Sequence, residues 1–335
     1  MQIGTAVCEK GQKATGYLHT GWLADGNEVR VPVMIAMGNE EGPVLWINAG
    51  VHGQEVSGIF AIQELFRNLD PAKLKGTIVG TPGCNPLGLK GHNKFNPEDQ
   101  LDMDQQFPGK ERGWLSEQMA FHFFNAVKDT ANYFIDLHAL GGVDAVPYTV
   151  YKTAAGVPEE VNTCTEKMAL LMGAEFNCQV DLRSATGELP GAVLGALDIQ
   201  CILHGIPAFM FEMGAGNRVI WSSVDLAVKG FENVMRYLGM IEGSCTYACG
   251  QKIVTKRSFP SSIRGGLASP QCKPGSLLKK GDPILNILNP FGEVIEEIRA
   301  PYDCIVIGVQ EDPVVNAGTP MVVFGHEWHE KGDFS

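Results

Sequence analysis

The first residues able to do chemistry together are His52 and Glu55, in the stretch His52-Gly53-Gln54-Glu55. An imidazole and a carboxylate three positions apart on a helical turn point the same way, so both can reach one metal ion. The pattern is short. A plainer reading is a histidine at a helix start followed by a solvated glutamate that the helix dipole favours. His138 ends the apolar run Tyr133-Phe134-Ile135-Asp136-Leu137-His138, and alone it reads as a hydrogen-bonded structural residue. Joined with His52 and Glu55 it reads differently. Two histidines and one carboxylate form a catalytic zinc triad that leaves a position open for water. Asp136 falls on the same strand face as His138. It could orient a ligand histidine, or cap backbone amides. Glu212 follows the apolar residues Phe209-Met210-Phe211, where a carboxylate needs a partner or a task. Near zinc it could take a proton from water and pass it to a leaving nitrogen; the alternative is a structural ion pair.

Short strands must position these residues. Residues 29–37 and 44–48 are apolar and rich in β-branched side chains, separated by a turn-like Gly-Asn-Glu-Glu-Gly-Pro, and read as strands. Ile59, Ile62, Leu65, Phe66 and Leu69 then recur at helical spacing, and Pro71 stops the helix. Residues 77–81, 133–138 and 206–212 read as further strands. Residues 114–128, 158–172 and 223–239 read as helices. Residues 84–113, full of Gly, Pro, Asn and Asp, read as one long loop of the kind that is usually functional. Alternating strands and helices predict an α/β fold with a mixed, mostly parallel sheet flanked by helices. Ligands bind beyond the carboxyl ends of such strands, and His52, the 84–113 loop, His138 and Glu212 all fall there. After about Thr246 the helical period disappears and Pro and Gly punctuate short strand-like runs. The reading is a catalytic domain at 1–245 and an all-β barrel-like domain at 246–335.

Composition removes several classes of function. The 335 residues are 44% hydrophobic and 19% charged, which suits a folded globular chain. A net charge of −12 with no basic run longer than two residues argues against nucleic acid as a partner. The N-terminus has no basic start followed by an apolar stretch, and the most apolar segment, 191–213, contains Asp198, Gln200, His204 and Pro207. No membrane association is expected. The nine scattered cysteines contain no C-x-x-C pair, so free thiols and a cytoplasmic setting are expected.

In order and spacing these motifs resemble the succinylglutamate desuccinylase/aspartoacylase family, a branch of the zinc carboxypeptidase-like fold. The resemblance rests on N-A-G-V-H-G-Q-E at 48–55, N-P-L-G at 85–88, F-P-G at 107–109, D-L-H at 136–138 and F-E-M-G at 211–214. It covers about residues 30–240. The tail is similar to the family's biotinyl/lipoyl-like C-terminal domain, with K-P-G at 273–275, K-K-G-D at 279–282 and A-P-Y-D at 300–303, but without a modification lysine flanked by methionines. The resemblance implies one Zn2+ per chain at His52, Glu55 and His138, Glu212 as general base, and Asn85 among the substrate-binding residues. Two departures stand out. Lys94 occupies the place of a usual arginine, and Asp102-Met103-Asp104-Gln105 replaces the usual D-L-N-R before F-P-G. The missing Asn-Arg pair normally grips a substrate carboxylate, and Gln105 lacks the charge and the bidentate fork for it.

The expected function is therefore a zinc-dependent deacylase that hydrolyses the amide bond of a small N-acyl amino acid or N-acyl amine. Lys94 is expected to stabilise the oxyanion as a point charge. Asp104 is expected to meet a substrate ammonium group, with an N-acylated amine or diamino acid as substrate. Arg183 or Arg218 could bind a substrate carboxylate from another direction. The rivals are a metallocarboxypeptidase acting on peptides, which the missing Asn-Arg pair also disfavours, and a non-catalytic binding protein of the same fold, which the retained Glu212 disfavours. Homo-oligomerisation is compatible with the sequence. His326 and His329 could form a second metal site, although a solvated tail is the simpler reading.

Overall fold

A computed structural model describes residues 1–182 and 193–332. One large mixed sheet dominates it. At its centre lie four parallel strands in the order β4 (Lys75–Pro82), β3 (Glu40–Ala49), β5 (Tyr133–Leu140) and β8 (Ala208–Ala215). Towards one edge β2 (Glu28–Met37) and β1 (Gln12–Trp22) add on antiparallel. On the other side β6 (Tyr148–Thr153) runs antiparallel to β8, and β7 (Phe176–Asp181) runs parallel to β6. The sheet is thus mixed, and parallel at the site. The chain leading into β1 and β1 itself carry too many polar residues to announce a strand. Pairing with β2 makes β1 a strand, and the residues before it pair with one another as a separate short hairpin.

Both faces of the central strands are covered, and alternation along each strand decides which side chain goes where. Ile47, Ile135 and Phe209 join α1 (Ser57–Asn68), α4 (Glu159–Leu171) and α6 (Trp221–Tyr237) in one core. Their sequence neighbours Trp46, Phe134 and Ala208 face α3 (Leu115–Thr130) and α5 (Leu197–Leu203) in the other. With two buried faces, the strands read as continuous apolar runs. Each buried aromatic there is worth about 1.5–3 kcal/mol. The residues expected as one long loop instead fold into a short helix, α2 (Pro86–Gly91), and a 3-10 turn at Met103–Gln105.

The chain beyond Thr246 is all β, but it is joined to the catalytic sheet edge to edge. Strand β9 (Lys252–Ser258) pairs in parallel with β7. Strand β11 (Val322–Glu330) pairs with β9, and β10 (Cys304–Gln310) with β11, both antiparallel. A separate four-stranded sheet closes over them and shares a core of Ile284, Leu285, Ile287, Val306 and Phe324. His326 and His329 belong to β11, where a spacing of three puts them on opposite faces. His326 stacks on Tyr302 with ring centroids 4.4 Å apart, and His329 is exposed. They form neither a metal pair nor a solvated tail. All nine cysteines are free, and no helix among the described residues is long and apolar enough to cross a membrane.

Helix α1 lies directly on the strands that carry the site. An added Cβ at Gly58 would sit 2.7 Å from Leu137 Cβ and 3.0 Å from Ala49 Cβ, both fixed to buried backbone. Gly58→Ala gains about 1 kcal/mol of helix propensity but costs about 1–3 kcal/mol in overpacking. The expected net result is a melting temperature lower by a few degrees, measured by calorimetry against wild type.

Candidate metal centre

His52 and Glu55 lie in the turn between β3 and α1, not on the helix itself. The Glu55 backbone N–H donates to His52 O at 3.1 Å, which folds the two side chains together. The turn needs glycine at position 53, because an added Cβ would lie 1.8 Å from the Gly88 carbonyl oxygen of α2. His138 and Glu212 are neighbours across the parallel β5–β8 pairing, and both point into the same space. The four side chains are almost fully buried.

The geometry converges on Glu55. Its Oε1 is 2.8 Å from His52 Nδ1, and its Oε2 is 3.1 Å from His138 Nδ1. The imidazoles stand edge to face with centroids 5.3 Å apart. Donor atoms of His52, Glu55 and His138 all lie within 4.8 Å of one another, so they could hold one metal ion. Glu55 Oε2 lies 3.1 Å from His138 Nδ1 without forming a hydrogen bond, and Glu212 Oε2 is buried with no hydrogen-bond partner, a costly state that a cation would relieve. The donor set is the nitrogen-and-oxygen type that zinc takes at catalytic sites.

Each imidazole presents its other nitrogen to a carboxylate, which fixes the ring and raises its basicity. His138 Nε2 is 3.4 Å from Asp136 Oδ2. Asp136 is held in turn by a buried relay: Asn48 Nδ2 donates to Asp136 Oδ1 at 2.8 Å, Thr81 Oγ1 donates to Asn48 Oδ1 at 2.8 Å, and Trp46 Nε1 donates to Thr81 Oγ1 at 3.0 Å. The partner of His52 Nε2 is Asp102 Oδ1 at 3.0 Å. Sequence reading passed over Asp102, although it stands in the stretch that departs from the family pattern. Asp102 also accepts from the Asp104 backbone N–H at 3.0 Å and from Gln105 Nε2 at 3.1 Å, and it pairs with Lys94 Nζ at 3.2 Å. One carboxylate therefore ties the loop to the first histidine.

Electrostatics follow from this burial. Burial opposes charge on His52, but Glu55 and Asp102 outweigh it and lift the imidazole to about 9. His138 likewise sits well above its usual range, with Asp136 and Glu55 overcoming burial. Burial works against the Glu55 carboxylate too, but the two histidines hold it near 2. A divalent cation held by these residues would take the place of those imidazole protons. Burial pushes Glu212 up to about 7, as a group that both accepts and returns a proton near neutrality should be. Burial also pushes Asp104 up to about 7.

The side chains surround a cavity of about 310 Å³, lined also by Lys94, Asp104, Gln105 and Tyr148. Tyr148 stands opposite Glu212 in the β8–β6 register, and burial keeps its phenol protonated. Two expected substrate contacts lie elsewhere. Asn85 is fully buried and serves the scaffold: its Nδ2 donates to Val51 O at 2.9 Å, and its Oδ1 accepts the Gly88 N–H at 2.9 Å as the N-cap of α2. Arg218 is half exposed and bridges to the C-terminal strands, donating to Glu311 Oε2 at 2.9 Å and to Asp144 Oδ1 at 3.3 Å. Arg183 lies outside the described residues.

Comparison with known proteins agrees with this arrangement. The profile of the succinylglutamate desuccinylase/aspartoacylase catalytic domain matches residues 41–238. The chain belongs to this family. Among curated relatives, the N-alpha-acetyl-L-2,4-diaminobutyric acid deacetylase of Halomonas elongata is 24% identical over 308 residues, covering 88% of this chain and 85% of the relative. Two solved structures share the fold. A succinylglutamate desuccinylase/aspartoacylase from Rhodobacter sphaeroides superposes with a TM-score of 0.82 at 23% identity, over 98% of this chain and 99% of its own. The product-bound ectoine utilization protein EutE (DoeB) from Ruegeria pomeroyi gives 0.82 at 20% identity, over 97% and 99%. The family's known members are deacylating hydrolases of N-acyl amino acids.

Asp102→Asn keeps the shape but removes the charge that orients His52. Metal affinity is expected to fall about 10- to 100-fold, read by titration against a competing chelator, with little change in the melting temperature of the metal-free protein.

Proposed function

We propose that this chain is a zinc-dependent deacylase that hydrolyses the amide bond of a small N-acyl diamino acid. The observation that carries the reading is the buried His52–Glu55–His138 cluster facing Glu212 across one small cavity. His52, Glu55 and His138 would hold the metal. When bound, zinc supplies Lewis acidity that polarises an acyl carbonyl and acidifies a water molecule to a pKa of about 7. Glu212 takes the proton from the attacking water and later delivers it to the amine nitrogen as the amide bond breaks. Lys94 stays protonated beside Asp102, because that pairing outweighs burial, and it offers a point charge to the oxygen on which negative charge develops. The Tyr148 hydroxyl is a neutral donor in the same cavity.

The substrate's amine half follows from Asp104. It takes part of the place of the family's Asn-Arg pair, lines the cavity, and accepts the Leu197 N–H at 3.2 Å, which fixes its orientation. A buried carboxylate raised to about 7 ionises when a cation arrives beside it. A side-chain ammonium on the substrate would be such a cation. That the Halomonas elongata relative is named for a diaminobutyric acid substrate supports this choice.

Two measurements test the reading. Elemental analysis should find near-stoichiometric zinc in wild type and none in His52→Ala. Glu212→Gln should keep the metal and lose about 10²- to 10⁴-fold in kcat for amine release from N-acetyl-2,4-diaminobutyrate. Absence of metal after reconstitution would sink the proposal. For Asp104→Asn, KM should rise about tenfold for substrates with a side-chain ammonium, the loss of one charge-assisted hydrogen bond. N-acetyl amino acids with neutral side chains should be unaffected; an equal rise for both would remove the assigned role.

A further inference from the structure

The C-terminal strands contribute a side chain to the catalytic cavity that no motif announced. Arg257 lies on β9, paired with Gly325 of β11, and its side chain lines the cavity together with Glu212, Tyr148 and Phe259. It is 6% exposed, and its Nε and Nη2 have no hydrogen-bond partner. Among the described residues lining the cavity, the two lysines are committed: Lys94 pairs with Asp102, and Lys152 with Asp198. The face of Phe259 supports the guanidinium, whose central carbon is 5.8 Å from the ring centroid.

A guanidinium stays charged at any working pH and carries donors in a fixed fork. Buried and unpaired, it is costly, and such a group is tolerated where an anion arrives to meet it. The anion that fits a planar fork in a cavity of this size is a carboxylate, bound through parallel N–H···O bonds. We infer that Arg257 is the carboxylate anchor of the site, so that the substrate is an N-acyl α-amino acid with a free carboxylate and not a simple N-acyl amine. This rests on the deacylase reading for the location of the substrate. It replaces Arg218 with an arginine from further along the chain, and it restores by a different route the charge that Gln105 lacks.

The test compares acids with their uncharged carboxamides on the zinc-loaded full-length enzyme. For N-acetyl-2,4-diaminobutyrate, Arg257→Met should lower kcat/KM about 10- to 100-fold, the loss of hydrogen bonds to a charged group. For the corresponding carboxamide it should change little. Arg257→Lys keeps a charge but not the fork, so it should fall between the two and guards against a fold lost in the methionine variant. N-succinylated butylamine, whose only carboxylate is on the acyl side, separates the sources. A loss confined to that compound would overturn the assignment to the amino-acid half, as would equal losses for acid and carboxamide. Binding of free 2,4-diaminobutyrate and its carboxamide, by calorimetry, gives a second readout that needs no turnover. If wild type releases no amine yet binds the acid through Arg257, the deacylase reading fails and the anchor stands. If the acid binds wild type and both variants alike, the anchor fails.

Discussion

A single buried carboxylate governs the architecture of the site. Glu55 has almost no access to water and lies between two imidazoles. Burying a charge is tolerable only with compensation arranged to a fraction of an ångström. Every nearby element supplies part of it. The Gly53 turn brings Glu55 to its position, and β5 presents His138. The relay from Trp46 through Thr81 and Asn48 to Asp136 fixes the far side of that histidine, while Asp102 fixes the far side of the other. The parallel strands set the spacing, because neighbouring residues across β5 and β8 leave His138 and Glu212 one strand apart. A His-Glu-His cluster with a second buried carboxylate beside it is what this backbone geometry produces when those residue types occupy those positions.

The chemical core was legible in the sequence for a physical reason. Side chains able to hold a metal, and a carboxylate at the end of an apolar strand, are specific residue types, and buried strands of a doubly covered sheet are unmistakably apolar. His52, Glu55, His138 and Glu212 therefore stood out against their surroundings, and Asp136 was placed correctly beside His138. Asp102 was hidden because its role depends on a loop folding back on itself, a matter of backbone turns that carries no periodic signal. Asn85 illustrates the reverse error. A polar residue in a motif invites a functional reading, but its amide is consumed in capping α2 and tying it to Val51. Arg218 was near Glu212 in sequence, but its fork points to Glu311 and Asp144.

Arg257 was invisible for a different reason. It lies in a stretch that reads as part of another unit, and only the β7–β9 pairing brings that stretch beside the cavity. Arg257 near the end of β9 and Phe259 just beyond it both line the cavity. The cavity thus draws its reactive groups from the α/β layer and one of its walls from the all-β segment. Arg218 adds a surface tie between the same two parts.

The shared sheet also has a consequence for the order of events at the ribosome. The chain emerges N-terminus first, and domains generally fold in that order. The segments bearing His52, Glu55, His138 and Glu212 are all complete before β9 has been made, and β11, which pairs with β9, follows it. The nascent protein therefore passes through a stage in which these four side chains exist while the edge of β7 is still bare. An unpaired sheet edge recruits other strands. Strand β9 thus acts as a seal as well as a wall, and a chain cut short near residue 245 would be left with an open edge and a roofless cavity.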